Sequence, residues 1–274
     1  MNQTLPAVVD VAARVTATTE VAEAFFQTRL QVPDAAVEPG QFIQLRPRPL
    51  EGTYPYLRMP LSVSAVDRER GLVDVLYELV GPKTVALRRV AVGDEVGFLG
   101  PLGNRFPEPT TGTTPILVGG GIGVPPLIYL GTTLRTGGRH DPILVVGARN
   151  AGKHLPDTLL DPASADVRRA TDDGSLGHAG FVTELLTDVL EAGPAAPVVY
   201  TCGPHAMMAA VARLCAGRDV PCFASLEEYM ACGFGVCVGC VVERADKDSQ
   251  PSPYGHYARV CVDGPVFDAR QIAW

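Results

Sequence analysis

Four cysteines near one end of the chain constrain it more than any other feature. Cys232, Cys237 and Cys240 read C-x4-C-x2-C, and Cys261 follows after twenty further residues. Four thiolates so spaced suit a [2Fe-2S] cluster. Gly233 and Gly235 lie in the first gap and Gly239 in the second. A short loop around a cluster must turn its N–H groups inward toward sulfur, and glycine reaches the positive φ angles this needs. Such N–H donors also tune the reduction potential. Two other readings stand beside this one. Closed zinc sites favour two close cysteine pairs, whereas this chain offers a close triplet and a lone distal cysteine. Disulfides belong to oxidising compartments; the odd total of seven cysteines and the start MNQTLPAVVD, without a basic region or a long apolar run, speak for a reducing one. Cys215 and Cys222 lack ligand spacing and are expected to be buried thiols.

A chain of 274 residues, 46% hydrophobic, has room for about two domains and a small third module. A net charge of −7 argues against a nucleic-acid footprint. No stretch approaches the roughly 18 apolar residues of a membrane span, so a soluble cytoplasmic protein with no membrane contact is expected.

Residues 1–107 read as short strands separated by turns, at Val8–Thr16, Ala24–Leu30, Gln41–Leu45, Leu61–Val66, Gly71–Leu79 and Glu95–Leu99, with one helix near Thr84–Val90. Strands of this length and spacing predict a small antiparallel barrel. The pattern changes at the Pro/Thr/Gly-rich linker PEPTTGTTP. Over residues 112–224, apolar runs at Ile116–Val118, Ile143–Val146, Val167–Ala170, Val198–Thr201 and Cys222–Ala224 alternate with helical stretches at Val124–Thr136, Phe181–Glu191 and Pro204–Ala216. This is the pattern of a parallel-sheet α/β nucleotide-binding domain. Residues 225–274 form the cysteine module, with a polar surface loop expected over Ala245–Gly255.

Three turns in the α/β region carry binding signals. Gly119, Gly120, Gly121, Ile122 and Gly123 follow a strand and open a helix, with Pro125 and Pro126 in its first turn. Glycines there let backbone approach a pyrophosphate, and the helix N-terminus favours negative charge. The bunched glycines do not make the G-x-G-x-x-G fingerprint, and Gly147-Ala148-Arg149 stands where an acidic residue is expected. Thr171-Asp172-Asp173-Gly174-Ser175 follows the third strand. Carboxylates at Asp172 and Asp173 would hydrogen-bond a free ribose 2′-OH and repel a 2′-phosphate, favouring NAD(H); Arg149 argues the other way, and a solvated loop explains both. Cys202, Gly203 and Pro204 end the fourth strand at the carboxyl edge, where ligands of such sheets bind. There Cys202 would approach the nicotinamide, unless the segment is a plain strand-to-helix turn.

The order of these features resembles the ferredoxin-reductase superfamily: barrel, glycine turn, TDDGS, CGP, then the cysteine module. Within it the whole chain resembles the electron-transfer subunits of class 1B dihydroorotate dehydrogenases, most specifically at LEEYMACGFGVCVGCVV and VCVDGPVF. The resemblance implies FAD on the barrel, NAD(H) on the middle domain and a [2Fe-2S] cluster on Cys232, Cys237, Cys240 and Cys261. The family's Arg-Pro-x-Ser flavin motif corresponds to Met59, Pro60, Leu61 and Ser62, with methionine in place of arginine. Its middle flavin contacts correspond to Leu76, Tyr77 and Glu78, and its Gly-Lys-Gly-Thr segment ends here in Lys83 and Thr84. Lys83 is expected to supply the positive charge that Met59 lacks; whether Arg58 does so instead stays open, because neighbours on a strand face opposite ways.

The resemblance further implies an FMN-containing catalytic partner, assembled two plus two into a heterotetramer for pyrimidine biosynthesis. Electrons would run from the partner through the cluster and FAD to NAD. No acid–base catalytic residue is expected in this chain. Related scaffolds keep alternatives open: a flavin subunit of a sulfhydrogenase or of a ferredoxin:NADP oxidoreductase, a reductase feeding an oxygenase, or a zinc-stabilised interaction module.

Overall fold

The computed structural model describes residues 7–33, 36–47, 55–245 and 254–274. Most of the polar loop expected over Ala245–Gly255 lies outside them.

Strands β1 (Val9–Ala22), β2 (Phe25–Gln31), β3 (Phe42–Arg46), β4 (Met59–Asp67) and β5 (Leu72–Glu78), helix α1 (Pro82–Arg88) and strand β6 (Glu95–Leu102) form the first unit. The strands close into an antiparallel barrel in the order β1-β2-β5-β4-β3-β6. Period-2 alternation builds it. On β3, Ile43 and Leu45 enter the barrel core with Met59, Val63, Val75 and Phe98. Phe42 faces outward and joins a different core, together with Cys240 and Cys261. Strand β1 runs to Ala22, past the expected end at Thr16. Its polar second half pairs with β2 through Ala22 and Phe25 but shows no apolar alternation from which its length could be read.

The second unit comprises β7 (Thr114–Gly120), α2 (Val124–Thr136), β8 (Ile143–Ala148), α3 (Asp157–Leu160), β9 (Asp166–Thr171), β10 (His178–Ala179), α4 (Val182–Glu191), β11 (Pro197–Cys202), α5 (His205–Ala216) and β12 (Cys222–Ser225). Its sheet is buried on both faces, which is why its strands are apolar runs rather than alternating ones. Ile116 and Val118 pack with Leu186 of α4 and Val211 of α5, while Leu117 packs with Leu127 and Leu130 of α2 on the other face. Cys215 and Cys222 are both buried there.

The last segment contains β13 (Val241–Glu243), β14 (Tyr257–Arg259) and β15 (Val266–Asp268). The first two pair with each other. Strand β15 joins the α/β sheet, whose order is β10-β9-β8-β7-β11-β12-β15, and runs antiparallel to β12. The cysteine module is therefore sewn into the middle sheet. Among the described residues no helix is long and apolar enough to cross a membrane.

Candidate functional site

A cleft of about 830 Å3 opens where the three units meet, a volume suited to a large cofactor. Pro60, Ser62, Leu76, Glu78 and Lys83 line its barrel side, Ile122 its middle-domain side, and Ser225, Glu227, Tyr229 and Met230 the far side. The strand residues expected to form the flavin motifs are thus brought together. Their side chains divide by pleat, however. Met59, only 4% exposed, and Tyr77 pack into the barrel core, with Leu61 against it. Tyr77 also exchanges a 3.2 Å hydrogen bond with Thr28, and burial raises its phenol pKa. Met59 and Tyr77 edge the cleft while spending their side chains on packing.

Among the described residues, Lys83 is the cationic one on the cleft wall. Its Nζ donates to the carbonyl oxygen of Arg58 at 2.8 Å. An ammonium has three donors, so two remain for a cleft ligand. Burial lowers its pKa. Arg58 itself turns away from the cleft and donates from Nη2 to both carboxylate oxygens of Asp10, at 2.7 and 2.9 Å. The Thr84 hydroxyl accepts from the N–H groups of Val80 and Gly81 and donates to the Gly81 carbonyl, tying down the turn that carries Lys83. Glu78 holds Lys153 of the middle domain at 2.8 Å, fixing one rim of the cleft.

The glycine turn and the CGP turn pack backbone to backbone at the carboxyl ends of β7 and β11. A Cβ on Gly123 would collide with the backbone of Cys202 and Gly203, and one on Gly120 with the Met207 sulfur while pressing closely on Pro204. Gly203 has φ of +151° and Gly121 of +53°. Among the described residues nothing stands within 4 Å of where a Cβ on Gly121 would project, so its backbone is open to a ligand. Cys202 is fully buried in the core beneath this edge. Burial pushes its thiol well up, the Glu227 charge adds to this, and a hydrogen bond with Ser225 opposes it. It is Ser225, its register partner on β12, that reaches the cleft wall. Asp172 is exposed beyond β9. Its neighbour Asp173 accepts from the Ser175 N–H and hydroxyl at 2.9 and 2.5 Å, leaving Asp172 as the carboxylate without such a bond among the described residues.

Beyond Met230 the chain enters the cysteine loop. Gly233 and Gly235 have φ of +80° and +87°, and Val238 of +55°. These turns direct N–H groups at sulfur, with Cys237 N–H lying 3.4 Å from the Cys232 Sγ. Desolvation would raise the Cys232 thiol, but the N–H groups of Cys237, Phe234 and Val236 and the Cys237 thiol bring it down to about 6. Burial, then the adjoining Cys240, push the Cys261 thiol up to about 12. The sulfurs are therefore grouped two and two, Cys232 with Cys237 and Cys240 with Cys261. Among the described residues no three His, Cys, Asp or Glu side chains form one group around a single ion position. Two adjacent thiol pairs beneath a ring of N–H donors fit an anionic cluster of two irons.

Glu227 and Tyr229 lie in the stretch LEEYMACGFGVCVGCVV that carries the family resemblance, but nothing in the sequence marks them as cleft residues, and Phe42 belongs to no motif. Desolvation raises the Glu227 carboxyl; the residue is exposed toward the cleft and walled by protein on its other sides.

Residues 227–273 match the family model described as the iron-sulfur cluster binding domain of dihydroorotate dehydrogenase B. The electron transfer subunit of dihydroorotate dehydrogenase B (NAD(+)) from Desulforamulus reducens is 36% identical over 96% of this chain and 97% of its own length. That from Geobacillus thermodenitrificans is 38% identical over 86% of each chain. Among solved structures, an NADH-dependent reduced ferredoxin-NADP oxidoreductase superposes with a TM-score of 0.82 at 27% identity, over all of this chain and 92% of that one. Phthalate dioxygenase reductase superposes at 0.62 and 18% identity, over 92% of this chain and 94% of that one, and shows the shared fold.

Proposed function

Because the chain belongs to the family of dihydroorotate dehydrogenase B electron transfer subunits, we propose that it carries electrons between a dihydroorotate-oxidising, FMN-containing partner and NAD, within a cytoplasmic heterotetramer of two catalytic and two electron-transfer chains. One observation carries this reading. The segment Ser225–Met230 lines the cleft, and Cys232 begins the cysteine loop only two residues later. A ligand of the cleft and a ligand of the cysteines are therefore neighbours, with Phe42 shared between the cleft wall and the core that buries Cys240 and Cys261.

Bound at these sites, FAD would exchange a hydride with nicotinamide and exchange electrons singly with a [2Fe-2S] cluster. The residues of this chain supply position and charge. Lys83 offers two N–H donors to the pyrophosphate of FAD, and Pro60, Ser62, Leu76 and Glu78 form the wall for its rings. Met59, Leu61, Tyr77 and Thr84 hold that wall in place. Gly119 to Gly123 and Gly203-Pro204 accept the dinucleotide's phosphates, Cys202 supports the floor under the nicotinamide, and Asp172 takes the adenosine ribose. Cys232, Cys237, Cys240 and Cys261 ligate the cluster. The domain plan follows: a flavin barrel over residues 1–107, a nucleotide domain over 112–224 and a cluster module over 225–274 that lends β15 to the nucleotide sheet.

The partner-facing surface is the one around the cysteine loop. Tyr229, Phe234 and Val236 are 96, 52 and 74% exposed there, and Cys237 is exposed among them. Exposed aromatic and apolar residues grouped in this way suit a protein interface.

The test is anaerobic purification of the native complex with flavin, iron and acid-labile sulfide analysis. One FAD to two irons in this chain, with a co-eluting FMN-containing chain that oxidises dihydroorotate, is expected. A colourless zinc protein, or a flavin–iron chain that co-elutes with a different partner, would overturn the reading.

A further inference from the structure

Gln44 sits in the middle of β3, register partner to Pro60 on β4 and Leu99 on β6. Its neighbours Ile43 and Leu45 point into the barrel, so its side chain projects outward beside Phe42, toward the cysteine module. It is 0% exposed. Both Nε2 and Oε1 lack a hydrogen-bond partner among the described residues. Native proteins rarely bury a carboxamide in that condition, because its lost hydration goes uncompensated. What it faces is Gly233, the residue after Cys232. The Gln44 amide nitrogen and side-chain carbons lie where a Cβ on Gly233 would project. The positive φ of Gly233 is thus coupled to the close approach of this amide from the barrel.

We propose that the Gln44 carboxamide donates a hydrogen bond from Nε2 to a sulfur at the Cys232 end of the cluster, and thereby sets the cluster's reduction potential from the flavin-binding barrel. The inference rests on the reading of the four cysteines as a [2Fe-2S] site. Thiolate and sulfide sulfurs accept and do not donate, so they fix the amide orientation with nitrogen toward the cluster. A hydrogen bond to sulfur favours the reduced, more negative cluster and so raises its potential. Gln44 touches the loop rather than ligating metal, which makes it a positioning and tuning residue. Its strand also carries Phe42 and adjoins Pro60, both on the flavin cleft, so one strand would position flavin and tune the cluster.

The test uses the whole complex, purified anaerobically, with the reduced cluster followed by electron paramagnetic resonance during a potential titration. Gln44→Met keeps the length and removes the donor. At full iron content it should lower the reduced-to-oxidised ratio at a fixed potential about tenfold, which is ~59 mV for a one-electron couple. Gln44→Leu, which also removes the donor, should lower it to a similar extent, and neither should move the FAD potential. In wild-type protein labelled with 15N in the glutamine side-chain amide, the reduced cluster should show a nitrogen hyperfine coupling that Gln44→Met removes. An unchanged potential in both variants at full iron content, or no such coupling in the wild type, would overturn the proposal. A preparation without iron and sulfide would overturn the cluster reading along with it, and is recognised before any titration by the absence of a reduced-state signal.

Discussion

The carboxamide of Asn104 grips the backbone of Val266 as a strand neighbour would, accepting its N–H at 2.9 Å and donating to its carbonyl at 2.8 Å. The Asn104 N–H adds a bond to Gly264 at 2.7 Å. These bonds join the end of the barrel to the segment that follows Cys261. Asn104→Ala would leave two partly buried backbone groups without partners, at a cost of about 1–3 kcal/mol. We expect a lower midpoint in thermal unfolding and faster iron release to a chelator. An unchanged release rate would show that the junction does not restrain the cluster.

Lys83 is expected to carry much of the affinity for FAD. A charge-assisted hydrogen bond contributes about 1.5–3 kcal/mol, so Lys83→Ala should weaken FAD binding by roughly 10- to 100-fold, with Lys83→Arg retaining part of it. Fluorescence titration of flavin-stripped protein measures this. An affinity equal to wild type in Lys83→Ala would remove Lys83 from the site.

The same residue predicts a pH dependence. Burial lowers the Lys83 pKa, so in flavin-free protein the ammonium is lost at a lower pH than for a free lysine. The pyrophosphate favours the charged form, and binding above that pKa takes up a proton. FAD affinity should therefore be full below the depressed pKa and fall as pH rises through it. Lys83→Met should flatten the profile; a slope that survives the substitution assigns the titration to another group.

Gly123→Ala tests the contact between the two nucleotide turns. The new methyl group would enter the backbone of Cys202 and Gly203, and overpacking of this kind costs about 1–3 kcal/mol. Reduction of bound FAD by NADH, followed by stopped flow, should slow sharply, while FAD content stays near wild type. Wild-type kinetics would mean that the turns separate freely.

Asp172 is expected to select the nucleotide. Asp173 is engaged by Ser175, and hydrogen bonds from that residue hold its carboxyl below the usual range. Asp172→Arg should raise the KM for NADH several-fold and lower that for NADPH, because a guanidinium accommodates a 2′-phosphate. An unchanged NADH to NADPH preference would move the ribose site elsewhere, with Arg149 the next candidate.

How much of this could be read from the chain depends on whether a demand is local. A glycine at positive φ, four thiols at ligand spacing and a Pro after a strand are each written at one place, so the glycine turn, the cysteine loop and the CGP turn were legible. The barrel and the parallel sheet were legible from their periods. Strand β15 was not, because three residues cannot display a period, and its strand character comes from pairing with β12. Strand β10 has two residues and the same limitation. The wall formed by Glu227 and Tyr229 was not legible either, since only the fold brings it opposite the barrel. Met59 shows a further limit. Its place in a flavin motif was readable, yet the pleat turns its side chain into the barrel core, and a lone sequence does not state which face a strand residue takes.

Strand β15 also bears on the order in which the molecule can be made. The open edge of β12 is covered by residues 266–268, which leave the ribosome after every other strand of that sheet. Until then the nucleotide sheet presents an unpaired strand edge of the kind that invites association between chains. Cys261 lies just ahead of that strand, so delivery of the fourth thiol and closure of the sheet fall within the same short interval of synthesis. On the proposal that Cys261 ligates the cluster, metal loading and protection from aggregation are tied to one event, and a chain stopped short of β15 would lack both.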